Sequence, residues 1–151
     1  MRLKKGIGEM IIANNEYRKL PVGIQSFNVI REEGYLYVDK TDMIWKLANQ
    51  GFKYNYLSRP RRFGKSVLID TLQAYFEGRK DLFEGLKIME LEKDWKQYPV
   101  IRLDMSRGGA TANEVKAYLD RTFDVYEQLY GIHIKPTDSL GNRFDLIINR
   151  L

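Results

Sequence analysis

Apolar residues recur every three or four positions in several segments of this 151-residue chain, a spacing that predicts helices with one buried face. The clearest such segment begins at Thr111 or Asn113, either of which can cap a helix. The apolar face of this long helix comprises Val115, Tyr118, Leu119, Thr122, Phe123, Tyr126, Leu129 and Tyr130. A last helix carries Phe144, Ile147, Ile148 and Leu151 on one face.

Three shorter helices are predicted in the first half of the chain. Ser26 can cap a helix that runs through Glu32, and Asp39 or Thr41 can cap a second one. A third helix is predicted from Lys65 onward. Its apolar positions are Val67, Leu68, Leu72, Tyr75 and Phe76.

Two short segments have the composition of β-strands. Residues Tyr54 to Leu57 are mostly aromatic and apolar, and the segment "YPVIRLDMS" is a second candidate that Pro99 opens. The helix from Lys65 lies between them in the sequence. Two strands joined through a helix predict a right-handed crossover in a parallel sheet, so the expected fold class is α/β.

Between the first of these strands and the third helix lies the basic segment "SRPRRFGKSVLID". A phosphate-binding loop is written G-x-x-x-x-G-K-[ST], and this segment fits that pattern except that Arg59 stands where the first glycine is expected. The N-H groups at the start of a helix and its partial positive charge favour anions. Lys65 would contact the β- and γ-phosphates of a nucleotide, and the hydroxyl of Ser66 would bind magnesium. A solvated basic turn is the alternative interpretation of the same residues.

Composition narrows the classes of partner only a little. The chain has 25 Lys and Arg against 20 Asp and Glu, and this excess of five positive charges favours polyanions such as nucleotides or nucleic acid. No apolar run approaches the ~20 residues that cross a bilayer, so we expect no membrane span. The chain contains no cysteine, which fits a cytoplasmic location. Residues 1–19 are predicted to be a leader or extension, and residues 20–151 a domain.

The loop and its surroundings resemble a known family. "RPRRFGKSVLIDTL" is similar to the loop of bacterial and archaeal AAA-like ATPases related to the STAND class, in which the first glycine is often replaced. The upstream "LPVGIQSFNVIREEGYLYVDKTDMIWKL" resembles the amino-terminal segment of the AAA-ATPase-like family. With "YPVIRLDMS", the resemblance extends over roughly Leu20 to Ser106.

The resemblance implies a P-loop NTPase fold, with a parallel sheet flanked by helices and incomplete at the carboxyl end. It implies binding of ATP and Mg²⁺, with Ser66 as the metal ligand and Lys65 as the catalytic residue that stabilises charge on the transferred phosphoryl group. The nucleotide-binding residues that it implies are Pro60, Arg61, Arg62, Phe63, Gly64, Lys65, Ser66 and Val67. For Arg61 and Arg62, pairing with acidic residues in the missing part of the protein is an equal alternative to phosphate contact.

Family members also carry an apolar strand that ends in Asp-Glu and activates the attacking water, and no such pair is visible here. "VIRLD" ends at Asp104, but Met105 follows it, so Asp104 is interpreted as structural. The acidic strand is expected beyond Leu151, which makes this chain the amino-terminal part of a longer ATPase. The longer protein is expected to continue into a nuclease-like domain that contacts nucleic acid, and assembly into a homo-oligomer is left open.

The sequence contains further candidate residues outside the loop, and it allows other functions. "YVDKTDMIWKL" resembles the segment beside the adenine ring in related ATPases, and Asp39 and Lys40 are its functional candidates, with a packed core as the alternative. His133 is the only histidine and receives no role. Two other functions stay open: a nucleic-acid-binding module that uses the basic loop, or an inactive truncated interaction domain.

Overall fold

A computed structural model describes residues 9–11, 17–51, 53–133 and 139–151. The chain divides into two compact units, Met1–Tyr98 and Pro99–Leu151. Within the described residues, no helix is long and apolar enough to cross a membrane. The proposed boundary between a leader (1–19) and a domain (20–151) stays a prediction, and part of that leader lies outside the described residues.

The described residues of the first unit form a two-stranded antiparallel sheet and four α-helices. Strands β1 (Glu9–Ile11) and β2 (Tyr17–Lys19) pair antiparallel, with Met10 opposite Arg18. The helices are α1 (Phe27–Glu32), α2 (Thr41–Asn49), α3 (Lys65–Phe76) and α4 (Ile88–Leu91), with a 3-10 helix at Lys80–Phe83. The predicted helices from Ser26 through Glu32, after Asp39 or Thr41, and from Lys65 onward are thereby confirmed.

An aromatic cluster holds the first unit together. The Phe83 ring lies 5.1 Å from that of Phe27 and 5.1 Å from that of Trp95, measured between centroids. The buried members of this core are Phe27, Ile44, Ala74, Leu82, Phe83, Leu86 and Ile88. The segment that follows α3, with its 3-10 helix and α4, therefore supplies much of this core through Leu82, Phe83, Leu86 and Ile88.

The second unit is a pair of helices with an irregular segment packed on it. It contains a 3-10 helix (Met105–Arg107), α5 (Ala112–Leu129) and α6 (Leu140–Arg150), and both predicted helices are confirmed. Thr111 caps α5 in a reciprocal capping box with Glu114. Its core consists of Phe123, Ile132 and Ile147, against which Ile101 and Leu103 pack.

Ion pairs of Arg143 add to the apolar contacts between α5 and α6. The buried Arg143 guanidinium on α6 binds Asp120, Asp124 and Glu127, with N–O distances of 2.9, 2.7 and 2.7 Å. All three carboxylates lie on α5, so one cation fixes the two helices side by side. Burial by itself would lower the pKa of Arg143, but the Glu127 and Asp124 carboxylates outweigh it and the pKa is raised.

The prediction of a parallel sheet flanked by helices is wrong for this structure. Neither residues 54–57 nor residues 98–104 form a strand, and the strands assigned in the described residues are β1 and β2. Tyr54 and Tyr56 are 92% and 93% exposed, so their side chains lie in water rather than on a sheet face. A strand is stable only when a neighbouring strand satisfies its main-chain groups, which a short apolar run cannot guarantee by itself.

Tyrosine hydroxyls from α5 take the place of a neighbouring strand along residues 100–104. The main-chain N-H groups of Val100, Arg102 and Asp104 donate to the hydroxyls of Tyr130, Tyr126 and Tyr118 at 3.0, 2.7 and 2.8 Å. Alternate residues of an extended chain present their N-H groups on the same side, which matches the spacing of the three donors. Side-chain oxygens therefore satisfy one edge of the segment that was predicted to be a strand.

We expect Tyr126→Phe to lower the free energy of unfolding by about 0.5 to 1.5 kcal/mol, because its hydroxyl accepts from the Arg102 N-H and donates to the Arg102 carbonyl at 3.0 Å. Urea denaturation of the purified chain measures the change. Tyr56→Phe is the matched control, since that tyrosine is almost fully exposed and should show no loss. Equal stability of the Tyr126 variant and the wild type would contradict this role for the hydroxyl.

Candidate functional site

The basic loop ends where α3 begins, and two residues of left-handed conformation shape it. Gly64 precedes the helix with φ 71° and ψ 20°, and Arg62 has φ 67°. A positive φ is costly for a residue that has a Cβ and easy for glycine. A side chain at Gly64 would meet no atom within 4 Å, so the backbone angle is what requires glycine here.

The amino terminus of α3 has main-chain donors that the helix does not use. The first helical hydrogen bond runs from the Leu68 N-H to the Gly64 carbonyl at 3.0 Å, and no side chain caps the helix. The N-H groups of Lys65, Ser66 and Val67 precede this bond, and such groups need a partner from outside the helix. Together with the helix dipole, they form a position that favours an anion.

Four cations surround this position. Arg59, Arg61, Arg62 and Lys65 are all exposed, and none of them forms an ion pair with a residue that the structure describes. The Arg59 side chain donates to the Phe63 carbonyl at 3.5 Å, which links the two ends of the loop. Most of the positive charge therefore remains available to a ligand.

An apolar cavity of about 580 Å³ adjoins the loop. Arg59, Phe63 and Gly64 line one side of it, and Val67, Leu68 and Thr71 of α3 continue that wall. The other walls come from earlier parts of the chain: residues 20–24, Ile30 of α1, residues 36–40, the α2 face with Met43, Ile44 and Leu47, and Leu57. No carboxylate lines the cavity among the residues that the structure describes. Its ligand is therefore expected to combine an apolar body with negative charge.

Two hydroxyl groups lie in this mainly apolar lining. Thr71 is buried, and its hydroxyl donates to the Val67 carbonyl at 2.7 Å. Burial raises the pKa of Tyr37, which outweighs the opposite effect of the nearby Thr71 hydroxyl. Tyr37 stays neutral at physiological pH and can only offer a hydrogen bond to a ligand, not a charge.

Asp39 and Lys40, the two functional candidates of their segment, have different environments. The Asp39 carboxylate accepts from the Thr41 N-H at 2.9 Å, from the Thr41 hydroxyl at 2.7 Å and from the Lys87 N-H at 2.8 Å. Burial alone would raise the pKa of Asp39, but these hydrogen bonds lower it below its ordinary value of 3.8. Asp39 thus acts as a structural clamp, whereas Lys40 lines the cavity.

The other residues singled out in the sequence have structural roles or none. Asp104 is exposed and accepts from the Ser106 N-H at 3.1 Å, and its pKa is lowered by the Ser106 hydroxyl. This supports the interpretation of Asp104 as structural. His133 is exposed, and its carbonyl accepts from Arg150 at 3.4 Å.

The described residues fit a magnesium ion only if the ion binds together with a nucleotide. Within the described ranges, no group of three or more His, Cys, Asp or Glu side chains could hold a metal. Mg²⁺ bound with a nucleotide takes most of its ligands from phosphates and water, so one protein hydroxyl is enough. Ser66 lies in the first turn of α3, beside Lys65, and can supply that hydroxyl.

Residues Pro60 to Val67 lie together in the structure as the loop and the first turn of α3, which follows from their being neighbours in the sequence. The sequence did not show that residues 20–24 and 36–44 line a cavity against this loop, since these segments are separated from it by tens of residues. The one signal for this was the resemblance of "YVDKTDMIWKL" to a segment beside an adenine ring. Whether Pro60 to Val67 bind a nucleotide stays a prediction.

We expect Asp39→Asn to destabilise the chain by about 1 to 2 kcal/mol at pH 7, because an amide nitrogen cannot accept from the Lys87 N-H. A pKa lowered in the folded state gives stability that is present above the unfolded pKa and is lost as the pH falls through the folded pKa. The difference in melting temperature should therefore narrow below about pH 4.

Thermal melts of both proteins between pH 7 and pH 3 measure this difference. Asp42→Asn is the control on the same helix, since its pair with Lys46, at 3.6 Å, lies at the surface. If the difference in melting temperature stayed constant down to pH 3, the ionised Asp39 carboxylate would not be what stabilises the chain.

Comparison with known proteins identifies relatives of this chain. It matches the model of the AAA-ATPase-like family, described as "Predicted AAA-ATPase", over residues 21–151. It is also 42% identical over 118 residues to a protein from Azotobacter chroococcum mcd 1 described as "Uncharacterized protein in vnfD 5'region". That alignment covers 76% of this chain and 22% of the relative, so the chain spans less than a quarter of that protein. No solved structure matches the chain.

Proposed function

The chain belongs to the AAA-ATPase-like family, and from this membership we propose that it binds ATP with Mg²⁺ through Pro60 to Val67 as part of a longer ATPase. The resemblance seen in the sequence is thus confirmed at the level of the family, which suggests ATP binding in general. Which residues bind the nucleotide, and with which metal, is our proposal. A cytoplasmic location, a bacterial source and assembly into a homo-oligomer remain predictions.

The observation that carries the proposal is the junction of an uncapped helix and an apolar cavity. The N-H groups at the start of α3 and the side chain of Lys65 supply donors for phosphate, and the cavity begins at the same Gly64. A nucleotide has the same two parts, a flat apolar base and a polyanionic tail. The cavity, at about 580 Å³, is within the usual range for small-molecule sites of about 300 to 1,000 Å³.

The lining of the cavity favours adenine over guanine. Guanine presents N-H donors on its ring and amino group, which carboxylate oxygens commonly accept, and no carboxylate lines the cavity in the described part of the chain. Leu57, Met43 and Val67 supply apolar contacts for a purine ring. Either Tyr37 or Thr71 can accept from the single exocyclic amino group of adenine.

Within this proposal, Lys65 would stabilise the negative charge that develops on the transferred phosphoryl group, and the hydroxyl of Ser66 would bind the magnesium ion. Arg61 and Arg62 add positive charge beside the loop. Hydrolysis also requires a carboxylate that positions the attacking water. We assign no residue of this chain to that step, and we propose that the longer protein supplies it.

We expect magnesium-ATP to raise the melting temperature of the chain and Lys65→Ala to remove most of that rise. Losing one charged contact to phosphate weakens binding by about tenfold or more, and at an ATP concentration close to the wild-type Kd this removes most of the stabilisation from binding. Differential scanning fluorimetry with magnesium-ATP, magnesium-GTP and no nucleotide measures the effect. The shift with GTP should be smaller than that with ATP.

Lys80→Ala is the control for this experiment, because Lys80 is an exposed lysine that lies outside both the loop and the cavity. It should keep the full shift with ATP. The proposal would be overturned if magnesium-ATP did not raise the melting temperature of the wild-type chain. It would also be overturned if Lys65→Ala showed the same rise as the wild type.

A second candidate function is the binding of single-stranded nucleic acid. Tyr54, Tyr56 and Phe63 are 92%, 93% and 62% exposed, and they flank the arginines of the loop in the sequence. Exposed aromatic rings can stack on bases while cations bind the phosphate backbone. The exposed aromatic rings beside the arginines are what favours binding of single-stranded nucleic acid.

The alternative predicts strong dependence on salt. If four phosphates are neutralised, affinity for a single-stranded oligonucleotide should fall about 50-fold between 50 and 200 mM salt and be indifferent to magnesium-ATP. Fluorescence anisotropy of a labelled 20-mer measures it, with the double variant Tyr54→Ala and Tyr56→Ala expected to bind more weakly. Competition by ATP, or equal binding by the double variant, would count against this function.

A further inference from the structure

Lys40 lies on the rim of the cavity, between two residues that the fold holds rigidly. On one side, Asp39 accepts three hydrogen bonds from Thr41 and Lys87. On the other, the fully buried Thr41 accepts from the Ile88 N-H at 3.1 Å. The backbone of Lys40 is therefore tied to the start of α4 through both of its neighbours.

The backbone of Lys40 has φ −130° and ψ 26°, outside the usual regions for helix and strand. The contacts of Asp39 and Thr41 hold this conformation. The flexible lysine side chain therefore starts from a fixed position at the edge of the cavity.

The charge around Lys40 is uncompensated. The side chain is exposed and, among the described residues, forms no ion pair. The adjacent Asp39 carboxylate is occupied by its three hydrogen bonds. Lys40 and Arg59 are the charged residues in the lining of the cavity, and both are positive. One comes from the segment before α2, the other from the basic loop.

From this arrangement we propose that Lys40 binds the phosphates of the nucleotide, so that the anion is held from two sides. The loop and the start of α3 supply one side, and Lys40 supplies the other. An ammonium group is a compact, strongly hydrated charge that gains little from an apolar base and much from a phosphate oxygen. This inference rests on the proposed function, since it assigns a further residue to the same site.

The test compares ligands with and without phosphate. Calorimetry should show that Lys40→Gln weakens magnesium-ATP binding by about tenfold and leaves adenosine binding unchanged, because only the phosphates lose a contact. Lys40→Arg should retain part of the affinity, since it keeps the charge. Lys46→Gln is the control on the same helix: it removes an exposed lysine that does not line the cavity, and should bind ATP as the wild type does.

Each outcome distinguishes this inference from the proposed function. ATP binding that depends on Lys65 but is unchanged in Lys40→Gln would overturn the role of Lys40 alone. An equal loss for ATP and adenosine would also overturn it, because the lysine would then act on the base or on the fold. If the wild-type chain bound neither ligand, the proposed function would fail and this inference with it.

Discussion

The hydrogen bonds that join residues 39–41 to the start of α4 hold the first unit in its shape. Thr41 is fully buried, and a buried hydroxyl is costly unless it is bonded. Its hydroxyl donates to the Asp39 carboxylate at 2.7 Å and accepts from the Ile88 N-H at 3.1 Å, so it has a partner both as a donor and as an acceptor. This fixes α2 against α4, and α2 is one wall of the cavity. The geometry of the candidate site thus depends on a polar contact outside it.

The longer helices of this chain differ in how their amino termini are satisfied. Asp39 accepts from the first N-H of α2, Thr111 caps α5, and Ser139 caps α6. Among the described helices of nine residues or more, α3 alone begins without a side-chain acceptor, since Gly64 has none to offer. The same glycine that allows the left-handed turn therefore also leaves the donors of α3 open. One residue type therefore determines both the conformation of the loop and the availability of these N-H groups to a ligand.

The sequence predicted the helices well because their signals are local. Caps such as Thr111 and apolar spacing along α3 act within a few residues, and the helix bounds follow from them. The sheet was predicted wrongly because strand pairing is not local. An apolar run such as residues 100–104 shows that a segment can be extended, but not what will satisfy its edges. Here the partners are hydroxyls of Tyr118, Tyr126 and Tyr130, which helical periodicity had placed on an apolar face.

The loop residues of the candidate site could be read directly from "RPRRFGKS", whereas the cavity could not, since its walls come together only on folding. The arginines show why this distinction matters. Arg143 serves the fold, and three carboxylates within 2.9 Å satisfy it. Arg61 and Arg62 have no such partner among the described residues, although the chain has acidic residues to provide one. Concentrated positive charge costs stability through self-repulsion, and the helix terminus beside these arginines adds a partial positive charge of its own, so a bound anion would relieve that repulsion.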